Sequence, residues 1–193
     1  IKKQLETELY NQYKSEVLYI GMCYKTSWGF KKASFLNSFT VFDLQLHGDD
    51  SWTRWFEYFP KLKDHYKKRT EYFSVEKIND MYNATKIAPV DANPGLLHAI
   101  HWRFIEALSS GALPILEWQQ GVDEIFGTSN VPAVKCFDES KEIVQYYLNH
   151  ENERLEKVAW LTNTMKNRFS IENNADLLAN TLNLRVKPTA LAY

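Results

Sequence analysis

The sequence predicts an α/β fold: a single doubly wound, mostly parallel sheet with helices on both faces. Three observations carry that prediction. Short runs rich in β-branched and aromatic residues recur along the chain, among them VLYIGM, KIAPV and LPILE. Stretches with apolar residues at helical spacing separate them, and such alternation implies parallel strands joined by right-handed crossovers. A length of 193 residues, 45% of them hydrophobic and 24% charged, suits one good-sized core.

KKQLETELYNQYKSE carries Leu5, Leu9 and Tyr13 at helical spacing, ahead of a first strand from Val17 to Met22. KKASFLNSF is the next helix. TVFDLQLHG then alternates, with Phe42, Leu44 and Leu46 on one face, and stops at Gly48. The segment from Ser51 to Arg69 is irregular and interrupted by Pro60, an excursion before a short strand in TEYF. Ser74 is placed to N-cap a helix whose apolar side is Val75, Ile78 and Met81 or Tyr82. KIAPV is a strand and DANPGLLHA a loop, and the following helix turns Ile100, Phe104 and Leu108 inward. Gly111 permits a tight exit into LPILE, a buried strand. VDEIF forms a helical turn and AVKCF a strand, and Asp138 caps a helix through ESKEIVQYYLNH. From Glu151 the chain is mostly helical, with a break near Ser170.

No internal repeat or low-complexity linker divides the chain. A formal charge of −1 provides no basic field, which argues against a nucleic-acid binder. No apolar run approaches the roughly 20 residues of a membrane span, and the polar, lysine-rich start does not read as a signal peptide. Cys23 and Cys136 lie in apolar, strand-like contexts and are expected to be reduced core thiols. A cytoplasmic location, free or peripheral to a membrane, fits these features. Because the chain opens on Ile1, a fragment of a longer protein is expected: residues 1–15 as a leading helix or linker, 16–182 as the domain, and 183–193 as a tail.

In open α/β sheets ligands sit outside the carboxyl ends of strands. Three loops qualify, GMCYKTSWGF, HGDDSW and DANPGLLHAIHW, and the last leads into HWRFIEALSSGALPILE. Arg103 and Glu106 stand three residues apart on the helix there and are expected to project together. A cation at a helix start suits a diphosphate, and a carboxylate one turn on can accept two hydrogen bonds from a ribose. The bland alternative is a surface ion pair worth about 0.2–0.5 kcal/mol. Residue chemistry alone leaves both readings open. His98 and His101 have i, i+3 spacing but no clear third ligand, so no metal site is assigned. Lys25, Lys31 and Lys32 follow the first strand, as phosphate contacts or as solvated lysines. KLKDHYKKR reads as a solvated face, and Trp52, Trp55, Phe56, Tyr58 and Phe59 as core or interface packing rather than a sugar site.

RFIEALSSGALPILE resembles the central motif of the C-terminal, donor-binding half of GT-B glycosyltransferases, through Glu106-Ala107, Gly111, Pro114 and Ile115-Leu116. VLYIGMCY, YFSVEKINDMYNATKIAPV and VKCFDESKEIVQYYLNHENERLEKVA are similar to its first strand, middle and tail. The spore-maturation-like and group 1 branches are the nearest in pattern, with exostosin-type transferases as neighbours. The resemblance covers most of residues 15–182 and implies a fold, an activity and a site. Glu106 would meet the nucleotide ribose, and the amides of Ala99, Ile100, His101 and Trp102 the diphosphate. Arg103, Lys31 and Lys25 would be the nearby cations. His98 stands where many relatives have a glutamate that contacts the donor sugar. The implied reaction moves a hexosyl or related unit from a nucleotide diphosphate sugar, such as a UDP-sugar, to a carbohydrate, protein or lipid hydroxyl. No metal or other cofactor is required. The acceptor site would lie on an N-terminal half-domain, so this chain alone should fold and bind nucleotide yet remain catalytically silent. A nucleotide-sugar epimerase, or a non-catalytic nucleotide-sugar-binding module, would use the same architecture.

Overall fold

The strand Ser15–Ile20 (β1) is inaccessible on both faces, with Val17, Leu18 and Tyr19 at 0% exposure. That burial is what a parallel strand covered by helices on either side requires. In the computed structural model, which describes residues 1–127 and 131–182, β1 lies inside a parallel six-stranded sheet. Its partners are Leu44–Gly48 (β2), Tyr66–Lys68 (β3), Thr85–Val90 (β4), Leu113–Glu117 (β5) and Ala133–Val134 (β6), in the order β3-β2-β1-β4-β5-β6. Val17 stands opposite Leu44 on one side and Ile87 on the other, and Ile87 opposite Leu113.

The helices are Thr7–Tyr13 (α1), Ser27–Asn37 (α2), Lys61–His65 (α3), Val75–Asn83 (α4), Arg103–Ser109 (α5), Gln120–Phe126 (α6), Glu139–Asn149 (α7), Glu151–Arg168 (α8) and Ile171–Thr181 (α9). Alternate β1 residues feed two cores. Val17 and Tyr19 join the larger one with Phe35 and Leu36 of α2 and Phe104 of α5. Leu18 and Ile20 join the smaller one with Met81 and Tyr82 of α4 and Ala107 of α5. The sheet is therefore doubly wound, as its sequence pattern predicts. Ser74 caps α4 by accepting from the Lys77 amide (3.2 Å), and Ser170 caps α9 by accepting from Asn173 (3.0 Å). No helix among the described residues is long and apolar enough to cross a membrane.

Several local expectations are corrected. The third strand is not TEYF but Tyr66–Lys68, three residues at the sheet edge with exposed Lys67 and Lys68. Lysines on an edge strand disfavour further pairing, and they hide the strand from an apolar-pattern search. Pairing in AVKCF stops after Val134, which leaves Cys136 exposed rather than in the core. Asp138 makes no side-chain cap; Glu139 accepts from the Lys135 and Cys136 amides instead. The 183–193 tail lies outside the described residues.

Candidate functional site

The strand order reverses between β1 and β4, and the crevice beyond their carboxyl ends is where such sheets take ligands. A buried charge group floors it. Asp91, directly after β4, is 2% exposed. It accepts from Tyr19 Oη (2.8 Å) and Arg103 Nη1 (2.5 Å) and pairs with Lys32 Nζ (2.9 Å). Arg103 opens α5, yet its side chain turns under the crevice. Nε and Nη2 donate to the Ile20 carbonyl at 3.2 and 3.1 Å, and the guanidinium lies 4.2 Å from the Tyr19 ring centroid. Gly21 makes room for it, since a Cβ there would sit 2.6 Å from Arg103 Nη2. Burial alone would raise the Asp91 pKa, but Arg103 and Lys32 outweigh it and hold the carboxyl down at about 2. Burial opposes the charge on Arg103 in turn, and its electrostatic partners Tyr19 and Asp91 keep its pKa above the ordinary value.

Arg103 and Glu106 therefore do not project together, and the surface ion pair between them is absent. Arg103 points to β1, whereas Glu106 faces α4. Glu106 lines a cavity of about 420 Å³ between α4 and α5, walled by Val75, Ile78, Tyr82, Trp102 and Ile105. Its carboxylate makes no hydrogen bond or ion pair among the described residues.

The loop before α5 ends in amides of unequal availability. Ala99 donates to the Leu96 carbonyl, but the amides of Ile100, His101 and Trp102 meet no acceptor among the described residues. His101 Nδ1 accepts from the Arg103 amide at 3.1 Å, which places its proton on Nε2. Burial, with Arg103 nearby, lowers its pKa to about 4, so the ring is neutral at ordinary pH. The loop is sewn to α6: Gln119 donates to the Ala99 carbonyl, and the Gly121 amide to that of Leu97 (2.9 Å). His98 Nδ1 lies 2.8 Å from Glu124 Oε1, both side chains being open to solvent.

The three lysines separate. Lys32 is buried on Asp91. Lys31, half-exposed, pairs with Glu117 at the carboxyl end of β5 (2.5 Å). Lys25 is exposed in the loop after β1 and meets Arg54 only through its carbonyl. Among the described residues no group of three or more His, Cys, Asp or Glu side chains is arranged to hold a metal. Trp52 and Trp55 are buried, whereas Tyr58 is exposed. Sequence reasoning missed Asp91 and Glu117. Each is a carboxylate directly at the end of an apolar strand, a position that could have marked them.

A parallel sheet in this order, wound by helices on both faces, defines a Rossmann-like α/β domain. Comparison with known proteins narrows the class. A model of the glycosyl transferase-like family matches residues 31–180. The chain belongs to that family. Solved structures share the fold. The C-terminal domain of the group 1 glycosyl transferase LpcC from Francisella tularensis superposes with a TM-score of 0.62 at 13% identity, over 88% of this chain and 95% of that one. A glycosyltransferase from Rickettsia africae gives 0.63 at 15%, over 92% and 53%. An α1,3-fucosyltransferase solved with GDP-fucose gives 0.52 at 15%, over 75% and 38%. The chain thus spans about half or less of the latter two, and its fold is that of a GT-B C-terminal half. A search of curated protein sequences finds no match.

Proposed function

We propose that this chain is the donor-binding half of a glycosyltransferase that moves a sugar from a nucleoside diphosphate sugar to an acceptor hydroxyl. The observation that carries this reading is the Glu106 carboxylate. It is unpaired among the described residues, faces a cavity on the first turn of α5, and follows the open amides of Ile100, His101 and Trp102. A carboxylate of that kind can accept both hydroxyls of a ribose, and the amides can meet a diphosphate. The GDP-fucose in the fucosyltransferase neighbour is a nucleoside diphosphate sugar of the class proposed.

In this reading Lys31 and Lys25 supply charge to the diphosphate from the crevice rim, and Arg103 acts from below as field rather than contact. His98, with Glu124 behind it, faces the donor sugar. As the bond from the sugar to the diphosphate breaks, negative charge grows on the leaving group, and fixed donors and cations stabilise it there. The acceptor approaches from a partner half. Positioning the two substrates is worth roughly 7–11 kcal/mol of barrier, so the chain alone binds the donor without efficient transfer.

Calorimetry with UDP, GDP, ADP, CDP and TDP tests the reading. At least one should bind saturably, and Glu106→Gln should weaken it by about 1.5–3 kcal/mol. The variant should also lose any preference for ribo- over 2′-deoxynucleotide. Unchanged affinity and unchanged discrimination would remove Glu106 from the ribose.

A further inference from the structure

Three cations and two carboxylates converge at the carboxyl edge of β1, β4 and β5: Lys31, Lys32 and Arg103 against Asp91 and Glu117. The group holds one positive charge more than it neutralises internally, which favours an anion at its mouth. Its members are not equally held. Arg103 and Lys32 are buried at 6% exposure, each with both a carbonyl and Asp91 as partners. Lys31 is different: its side chain is 43% exposed on the rim, with Trp28 as its other neighbour, 5.2 Å from ammonium to ring centroid.

Glu117 is 4% exposed. One oxygen, Oε2, accepts from the Ala92 amide at 2.9 Å and so ties the loop after β4 to β5. The other, Oε1, has Lys31 as its ion-pair partner, but the contact lacks the alignment of a hydrogen bond. Among the described residues that oxygen is compensated by a half-exposed ammonium, and a flexible lysine stem lets that ammonium leave. Glu117 would remain anchored by the Ala92 amide.

We propose that Glu117 is a positioning residue that competes with the donor's diphosphate for the Lys31 ammonium. This rests on the nucleotide reading above. Without ligand, Glu117 parks Lys31 at the crevice rim. A bound diphosphate draws the ammonium across, and the Glu117 charge left without its cation then pulls it back and promotes release of the nucleoside diphosphate product. The cost of the competition is weaker binding, and its gain is turnover.

The sign of one effect separates competition from scaffolding. Glu117→Gln keeps an oxygen for the Ala92 amide but cannot hold Lys31 by charge. Titrated with the same five nucleoside diphosphates, it should bind the preferred one about three- to tenfold more tightly than the unaltered chain. In a Lys31→Met background the same substitution should change nothing. A purely structural Glu117 gives the opposite result, weaker binding in both backgrounds, and overturns the proposal. So does equal affinity. If Glu117→Gln fails to fold, Glu117→Asp decides, because it withdraws the charge by one methylene: tighter binding supports the competition, and equal or weaker binding overturns it. Absence of saturable binding by the unaltered chain overturns the nucleotide reading and this inference together. Binding that Glu117→Gln leaves unimproved overturns this inference alone.

Discussion

Asp91→Asn isolates the charge that holds the crevice floor together. Asparagine keeps a carbonyl oxygen that Tyr19 or Arg103 can reach, so shape and one hydrogen bond survive. What disappears is the only carboxylate partner of the buried Arg103 and Lys32 side chains among the described residues. The carboxyl pKa falls from 3.8 to about 2, which corresponds to roughly 2–3 kcal/mol in favour of the charged form. Stranding a buried charge by deleting its partner costs about 3–5 kcal/mol. A loss near 3 kcal/mol lies between the two, because the asparagine oxygen softens it. At about 2–4 °C per kcal/mol for a chain of this size, the melting temperature should drop by roughly 6–12 °C at neutral pH. The acid limb gives a second check. A depressed folded-state pKa contributes stability that is present above the unfolded value and lost as pH falls through the folded one. The difference between the two proteins should therefore hold down to about pH 4 and shrink toward pH 2. Circular dichroism melts across that range measure both effects. A shift under about 2 °C at neutral pH, or a difference that ignores pH, would refute the account of a charge-locked floor.

Two further outcomes follow from the geometry. His47 and His101 both have pKa values lowered to about 4, chiefly by burial, and both add stability that is present above the ordinary 6.5 and lost as pH falls toward 4. Urea titrations should show stability declining across that window, and His101→Gln should flatten part of the decline; an unchanged pH profile would mean the ring is not held neutral. Gly121→Ala would place a Cβ 2.5–2.7 Å from the His98 and Ala99 backbone. It should cost about 1–3 kcal/mol and weaken nucleotide binding by shifting the loop before α5. Gly95→Ala, whose nearest atom would be 3.4 Å away, should do neither.

The doubly wound sheet was legible because its inner strands satisfy a simple demand. A strand buried on both faces must be apolar at every position, and VLYI, KIAPV and LPIL are nearly so. The edges obey another rule. Tyr66–Lys68 carries charge to discourage further pairing, and Ala133–Val134 is too short to show a period. Local chemistry settled some boundaries directly. Ser74 and Ser170 each offer a hydroxyl at the point where helical amides need acceptors; Ser74 caps as expected, and Ser170 caps the helix that follows the expected break.

The candidate site could be read from the sequence as a segment but not as an arrangement. HWRFIEALSSGALPILE marks the helix that carries Arg103 and Glu106, yet spacing along a helix says where two side chains start and not where they end. Arg103 and Glu106 begin near one another and part, because Arg103 finds a buried carboxylate 12 residues upstream and a carbonyl 83 residues away, at Ile20. Those partners come from other strands, so no local pattern reports them. The same holds for Lys31 and Lys32, adjacent in sequence but divided between Glu117 and Asp91. What the sequence does offer is position: Asp91 and Glu117 each stand at the carboxyl end of an inner strand, where a parallel sheet brings successive strand ends to one edge. Carboxylates at those places need cations from the neighbouring helices. Arg103 and Lys32 supply them to Asp91 in the floor and Lys31 to Glu117 at the rim, and Glu106, which faces away from the floor, has no charged partner among the described residues.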